Sequence, residues 1–268
     1  MTTTTTTQLT TRTGGRAVAW GGFSPTFLRL EIRRLFRNKR TLIFTLVMPP
    51  VFFVIFGTQS DFKTDYAFAH GNVTGYIAIS MAVYGAMLAT TSGGAMVSVE
   101  RAQGWSRQLR LTPLKPVAYI VTKVLVAMTM GAAAIVVVCV VAKFFGADMP
   151  IWVWLACAVI AWLGSAVFAA FGLFMGYLLP SENVMQILGP VLAFLALAGG
   201  LFVPLGDSGW FPMLAKFTPL YGLATVARAP FTSADTGTLV IAVINLVVWA
   251  AVFVAGAALL FRKDTKRA

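Results

Sequence analysis

Six stretches of this sequence run without a charged residue for long enough to cross the hydrocarbon core of a lipid bilayer. They extend from Thr41 to Ser60, Gly71 to Val99, Val124 to Ala142, Met149 to Ser181, Asn183 to Gly206 and Thr236 to Phe261. An apolar segment needs about 18 residues to cross the hydrocarbon core as a helix, and each of these reaches that length. The runs are continuously apolar and do not alternate in ten-residue pieces, so a β-barrel is excluded. Backbone groups in lipid must then be satisfied within each segment, which leaves helices. At 58% hydrophobic and 11% charged, the chain lies far outside the range of soluble domains. The predicted fold is an all-α integral membrane protein with six transmembrane helices. The fourth run, at 33 residues, exceeds the need of one span, so it is expected to tilt or to begin with an interfacial turn around Ile151 to Trp154.

The basic residues orient these spans. Eight precede the first one (Arg12, Arg16, Arg29, Arg33, Arg34, Arg37, Lys39 and Arg40). Four lie between the second and third (Arg101, Arg107, Arg110 and Lys115), and four follow the last (Arg262, Lys263, Lys266 and Arg267). With six spans these three segments share one face, and sixteen of the 21 basic residues are on it. The excess of Lys and Arg marks that face as cytoplasmic, so both termini are expected inside the cell. Most acids (Asp61, Asp65, Asp148, Asp207 and Asp235) fall in the opposite connections. The net charge of +12 is therefore topological and directed at lipid headgroups, and no nucleic-acid partner is expected. Cys139 and Cys157 both fall inside spans, which gives no disulfide framework. His70 is the only histidine, and without a second ligand near it no metal site is expected.

Residues 1–23 form a Thr-rich leader, expected to be disordered and without a signal-peptide core. Residues 24–268 form the membrane domain. Ser24-Pro25 reads as an N-cap followed by a first-turn proline. On the helix that follows, Phe27, Leu28, Ile32, Leu35 and Phe36 fall on one half and Arg29, Arg33, Arg37 and Arg40 on the other. Leu30 and Glu31 break the pattern. Such a basic amphipathic helix is expected in the headgroup plane, with its apolar face at the acyl boundary. The first span contains Met48-Pro49-Pro50, and a kink is expected there. The second span is rich in small residues from Ser80 to Gly94, and Gly172 and Gly176 make a GxxxG pair in the fourth; both are read as close packing. Lys123, early in the third span, is expected to snorkel to the headgroups. The prolines between Pro204 and Pro230 divide that segment into apolar pieces too short to cross, so these are expected to dip into the outer leaflet with Trp210 and Tyr221 at headgroup level.

Between the second and third spans stands a charged, proline-stopped insert, Glu100 to Pro116. It has Gly104 four residues after Glu100, then Leu109, then Thr112-Pro113-Leu114. A solvated basic loop is the plain reading. The pattern also resembles the cytoplasmic coupling helix of type-2 ABC exporter permeases, the membrane subunits of drug, lipid and polysaccharide exporters. The helix carrying Phe27, Arg33, Phe36 and Arg37 resembles the elbow helix of that family. The order Gly199-Gly200, Phe202, Pro204, Trp210, Pro219 resembles its extracellular re-entrant helices. The resemblance covers roughly residues 24 to 262.

That resemblance implies a transmembrane subunit of an ATP-driven exporter for a hydrophobic drug, antibiotic or lipid, working by alternating access in the plasma membrane. It implies a second permease copy, identical or related, and a separate ATPase subunit that carries ATP and Mg. The chain has no G-x-x-x-x-G-K-[ST] phosphate loop, so it is not expected to be an enzyme or to bind a cofactor itself. Glu100, Gly104, Trp105, Leu109, Thr112, Pro113 and Leu114 would couple to the ATPase. Phe52, Phe56, Phe194 and Phe202 would line the substrate path. The competing readings are a membrane enzyme, a channel or secondary transporter, and a membrane scaffold. An enzyme needs paired acids or a metal set, a channel or secondary transporter usually keeps ionisable groups at mid-membrane, and a scaffold needs no coupling insert.

Overall fold

The computed structural model describes residues 24–59, 68–104, 116–202 and 209–267. The leader, Trp105 to Lys115 of the insert, and Pro204 lie outside these residues. Within them the chain forms eleven helices and no strand: α1 Pro25–Arg37, α2 Lys39–Gly57, α3 Val73–Ala95, α4 Val97–Ala102, α5 Pro116–Phe144, α6 Ile151–Gly164, α7 Ala166–Leu178, α8 Ser181–Ala198, α9 Trp210–Ala215, α10 Pro219–Thr232 and α11 Thr236–Arg267. Five units are long and apolar enough to cross a membrane: α3 with α4, α5, α6 with α7, α8, and α11. A sixth is reached by counting α1 and α2, which meet at 65°, as one bent unit.

Local chemistry sets the helix starts. Ser24 accepts a hydrogen bond from the Phe27 amide at 3.4 Å, with Pro25 next in the first turn. Asn72 caps α3 and ties it to the α5–α6 connection: its Oδ1 accepts from the Gly75 and Asp148 amides, and its amide nitrogen donates to the Gly146 carbonyl at 2.8 Å. Thr238 donates to Asp235, and these bonds hold that exposed carboxylate below its usual range at the start of α11.

The small residues of α3 make it the bundle's central column, buried along most of its length. Close approach to α7 requires glycine on both sides. A Cβ on Gly94 would lie 2.5 Å from the Ala169 carbonyl oxygen, and one on Gly172 would lie 2.1 Å from that of Thr91. The GxxxG pair is thus an intramolecular packing seam. By contrast α8 and α11 leave much of their apolar surface uncovered, including Phe194, Val247 and Leu259.

The structure sets the limits of several elements whose ends the sequence left open. The fourth run forms one span, Ile151–Leu178, made of two helices joined at Ser165. The third span begins at Pro116, about two turns before Lys123, as the early placement of that lysine implied, and Lys123 has partners inside the protein. The fifth ends at Ala198. Pro49 and Pro50 both lie inside α2. The proline-divided segment contains α10, a 14-residue helix that starts at Pro219 and buries Tyr221 among its neighbours, while Trp210 on α9 is exposed. Proline in a first turn starts a helix as readily as it ends one.

Candidate functional site

The root of the insert is a buried ionic node. Glu100, on α4 where the second span ends, is only 3% exposed. Lys123 on α5 is equally buried and binds both Glu100 and Glu31 of α1. Tyr119 lies one helical turn before Lys123, which places both side chains on the same face. Its hydroxyl donates to the other oxygen of Glu100. Arg34, half exposed, reaches Glu100 at 3.4 Å and Glu31 at 3.7 Å. Two carboxylates therefore face one ammonium and one guanidinium, and the charge balances. Burying ions costs several kcal/mol each, so a node of this kind holds only when every member is paired.

The next residue points the other way. Arg101 makes a two-pronged ion pair with Asp264 near the end of α11, at 2.6 and 3.0 Å. It also donates to the carbonyls of Gly176 and Tyr177 at 3.2 Å. Those carbonyls belong to the last turn of α7, where a cation satisfies both orphan acceptors and the helix dipole. Two consecutive side chains thus fasten α4 to α1 and α5 on one side and to α7 and α11 on the other. A displacement of the insert would act on all four helices. Val97, Tyr119, Leu173 and Tyr177 fill the apolar space between the two attachments.

Past α4 the chain turns at Gly104, whose φ of +73° is a left-handed conformation that favours glycine as a helix terminator. Beside this turn a groove of about 690 Å³ opens, lined by Arg101, Gly104, Tyr177, Pro180 and Asp264 among others. Trp105, Leu109, Thr112, Pro113 and Leu114 lie beyond the described residues.

The other predicted residues are spread over the rest of the bundle. Phe52, Phe56 and Phe202 come together with Tyr84 in one aromatic cluster with ring centroids 5.2 to 6.5 Å apart. Phe194 is outside it, exposed on α8. On α1, Phe27 is half-buried, and Arg33, Phe36 and Arg37 are exposed. Trp210 opens α9 and Pro219 opens α10.

Sequence reasoning missed the partners. Lys123 does not snorkel, and Glu31, which broke the amphipathic pattern of α1, does so because it faces Lys123 in the interior. The signal was present as two charges of opposite sign in two awkward places. Arg228, within the proline-divided segment, is 8% exposed on α10. It donates to Ser80 Oγ at 2.6 and 3.1 Å and to the Gly200 carbonyl at 2.9 Å, and it lies 4.5 Å over the Tyr76 ring. No group of His, Cys, Asp or Glu among the described residues could hold a metal ion.

Residues 26–232 match the family model described as ABC-2 type transporter. The chain is also 30% identical over 182 residues to "Putative transport permease YvfS" of Bacillus subtilis (strain 168), an alignment covering 65% of this chain and 71% of that protein. A match across most of the chain that includes the node, the insert and α10 decides against the enzyme, channel and scaffold readings. The chain belongs to the ABC-2 type transporter family, as a multi-pass transmembrane permease subunit of an ABC transporter whose ATPase is a partner.

Proposed function

We propose that this permease exports a hydrophobic drug, antibiotic or lipid across the plasma membrane by alternating access, with both termini in the cytoplasm. Two permease copies, identical or related, pair with two copies of a separate ATPase that carries ATP and Mg. The segment from Glu100 to Leu114 acts as the coupling element, with Gly104, Trp105, Leu109, Thr112, Pro113 and Leu114 meeting the ATPase. α1 serves as the elbow helix, and α9 with the start of α10 forms the outer re-entrant segment. ATP-driven closure of the ATPases pushes the insert, and the insert tilts the spans.

The observation that carries this reading is the double fastening at Glu100 and Arg101. A loop that merely joined two spans would have no need to bury a carboxylate among three partners and to anchor its neighbour to two further helices. The aromatic cluster of Phe52, Phe56, Phe202 and Tyr84 is the candidate wall of an apolar path, and Phe194 is a candidate contact from a separate face.

The test is substrate-stimulated ATP hydrolysis by the reconstituted complex against a panel of apolar antibiotics, drugs and lipids. Stimulation by a panel member, with no hydrolysis by the purified permease alone, is the expected result. Hydrolysis by the permease alone would overturn the division of labour. Orientation is tested by labelling engineered cysteines in intact cells: Thr236→Cys is expected to react from outside and Gln103→Cys is not. Gly71 is unsuited as an outer probe, because a Cβ there would lie 2.4 Å from the Asp148 carbonyl oxygen.

A further inference from the structure

The outward side of α1 carries a pattern that the node alone does not explain. With Glu31 turned inward, Arg29, Arg33 and Arg37 form a stripe on the opposite side of the helix, all three exposed. Apolar side chains flank the stripe, Leu30 at 59% exposure and Phe36 at 42%. A cationic line bordered by uncovered hydrophobic residues, on a helix leading into a membrane span, matches an anionic bilayer surface in charge and in polarity. Arg34 stands at the margin of this face. Its guanidinium is half exposed yet within 3.4 Å of Glu100 Oε1.

We propose that the Arg29–Arg33–Arg37 stripe binds anionic phospholipid headgroups and that Arg34 relays their presence to the insert. A headgroup phosphate competes with Glu100 and Glu31 for the Arg34 guanidinium, since both offer it paired anionic oxygens. When phosphate takes Arg34, Glu100 keeps Lys123 and Tyr119 but loses its outermost partner, and the root of the insert loosens. Anionic lipid thereby sets how firmly the insert is held.

The test uses the full-length permease in bilayers of phosphatidylcholine and phosphatidylglycerol. Spin-labelled forms of the two lipids measure selectivity at the protein surface. The wild-type chain is expected to prefer phosphatidylglycerol. The triple variant Arg29→Gln, Arg33→Gln, Arg37→Gln is expected to lose that preference several-fold, with about fivefold per arginine as the upper bound. In the wild-type chain the preference also falls as salt shortens the Debye length from roughly 30 to 3 Å, which needs no variant to fold. A nitroxide at Gln103→Cys, with Cys139 and Cys157 replaced by alanine, reports the insert root. Its mobility is expected to rise with phosphatidylglycerol in the parent chain and to be independent of lipid charge in Arg34→Gln. Unchanged selectivity in the triple variant would overturn the stripe, and if that variant also lost its ATPase the face would belong to a protein partner instead. A label insensitive to lipid charge in the parent would overturn the relay. Neither readout needs ATP, an ATPase or a transported molecule, so failure here leaves the transport reading standing.

Discussion

Among the described residues two cations are buried in the bundle, and they are stabilised in opposite ways. Lys123, near the end that carries the insert, sits between two carboxylates from two other helices. Arg228, near the other end, forms no ion pair among the described residues and relies on a hydroxyl, a backbone carbonyl and an aromatic face. The choice of side chain follows the partners. A guanidinium is planar, weakly hydrated and able to stack on a ring, so neutral oxygens and a π face suffice for it, whereas a compact ammonium requires full counter-charge. The Arg228 arrangement is a local weld, joining α10 to α3 and to the Gly200 turn. The Lys123 arrangement is a shared one, in which every member depends on the others and three separate helices meet.

The comparison breaks most readily at Lys123. Lys123→Met leaves Glu31 and Glu100 facing each other with only half-exposed Arg34 between them. A loss of about 3–5 kcal/mol is expected, the range for a buried pair deprived of one partner. It would be read as a fall in folded yield and thermal midpoint in detergent. Replacing Glu31, Glu100 and Lys123 together by Leu, Leu and Met is expected to recover most of that stability, because no buried charge is then stranded. Arg228→Met should cost less, about 1–3 kcal/mol by the same measurement, since the groups it strands are neutral. A cost equal to that of Lys123→Met would erase the distinction between the two sites. The smallest effect is expected from Ser80→Ala, about 1 kcal/mol, because Arg228 keeps the Gly200 carbonyl and the Tyr76 ring.

What was legible in the sequence divides along the same line. The spans could be read because each is a local, continuous property of the chain, and the insert because charge interrupts apolar runs on both sides of it. The N-cap at Ser24 and the packing role of Gly172 and Gly176 also follow from short-range patterns. The partners of the buried cations do not. Glu31 and Lys123 are 92 positions apart, and Ser80 and Arg228 are 148 apart. A lone lysine in a span has the same local signature whether it snorkels or pairs. The packing of the segment before α11 was not legible for a related reason, since the burial of Leu220, Leu223 and Phe231 depends on residues distant in sequence. Glu100 stands out by its place at a span boundary, but its strength comes from Tyr119, Lys123, Arg34 and Glu31, of which only Lys123 and Glu31 stand out in the sequence, each by itself.

On the proposed reading, the node at Glu100 passes the motion of the ATPase to the spans. Glu100→Gln tests it, because the amide keeps the shape and a hydrogen-bond acceptor for Tyr119, while Lys123 keeps Glu31. Export and ATP hydrolysis would be measured side by side in assembled, reconstituted complex. Continued hydrolysis at near wild-type rate with export reduced at least tenfold is the predicted result, a loss of about 1.4 kcal/mol of coupling. Wild-type export together with wild-type hydrolysis, in complex of normal composition, would contradict it and leave the node as a structural fastening alone.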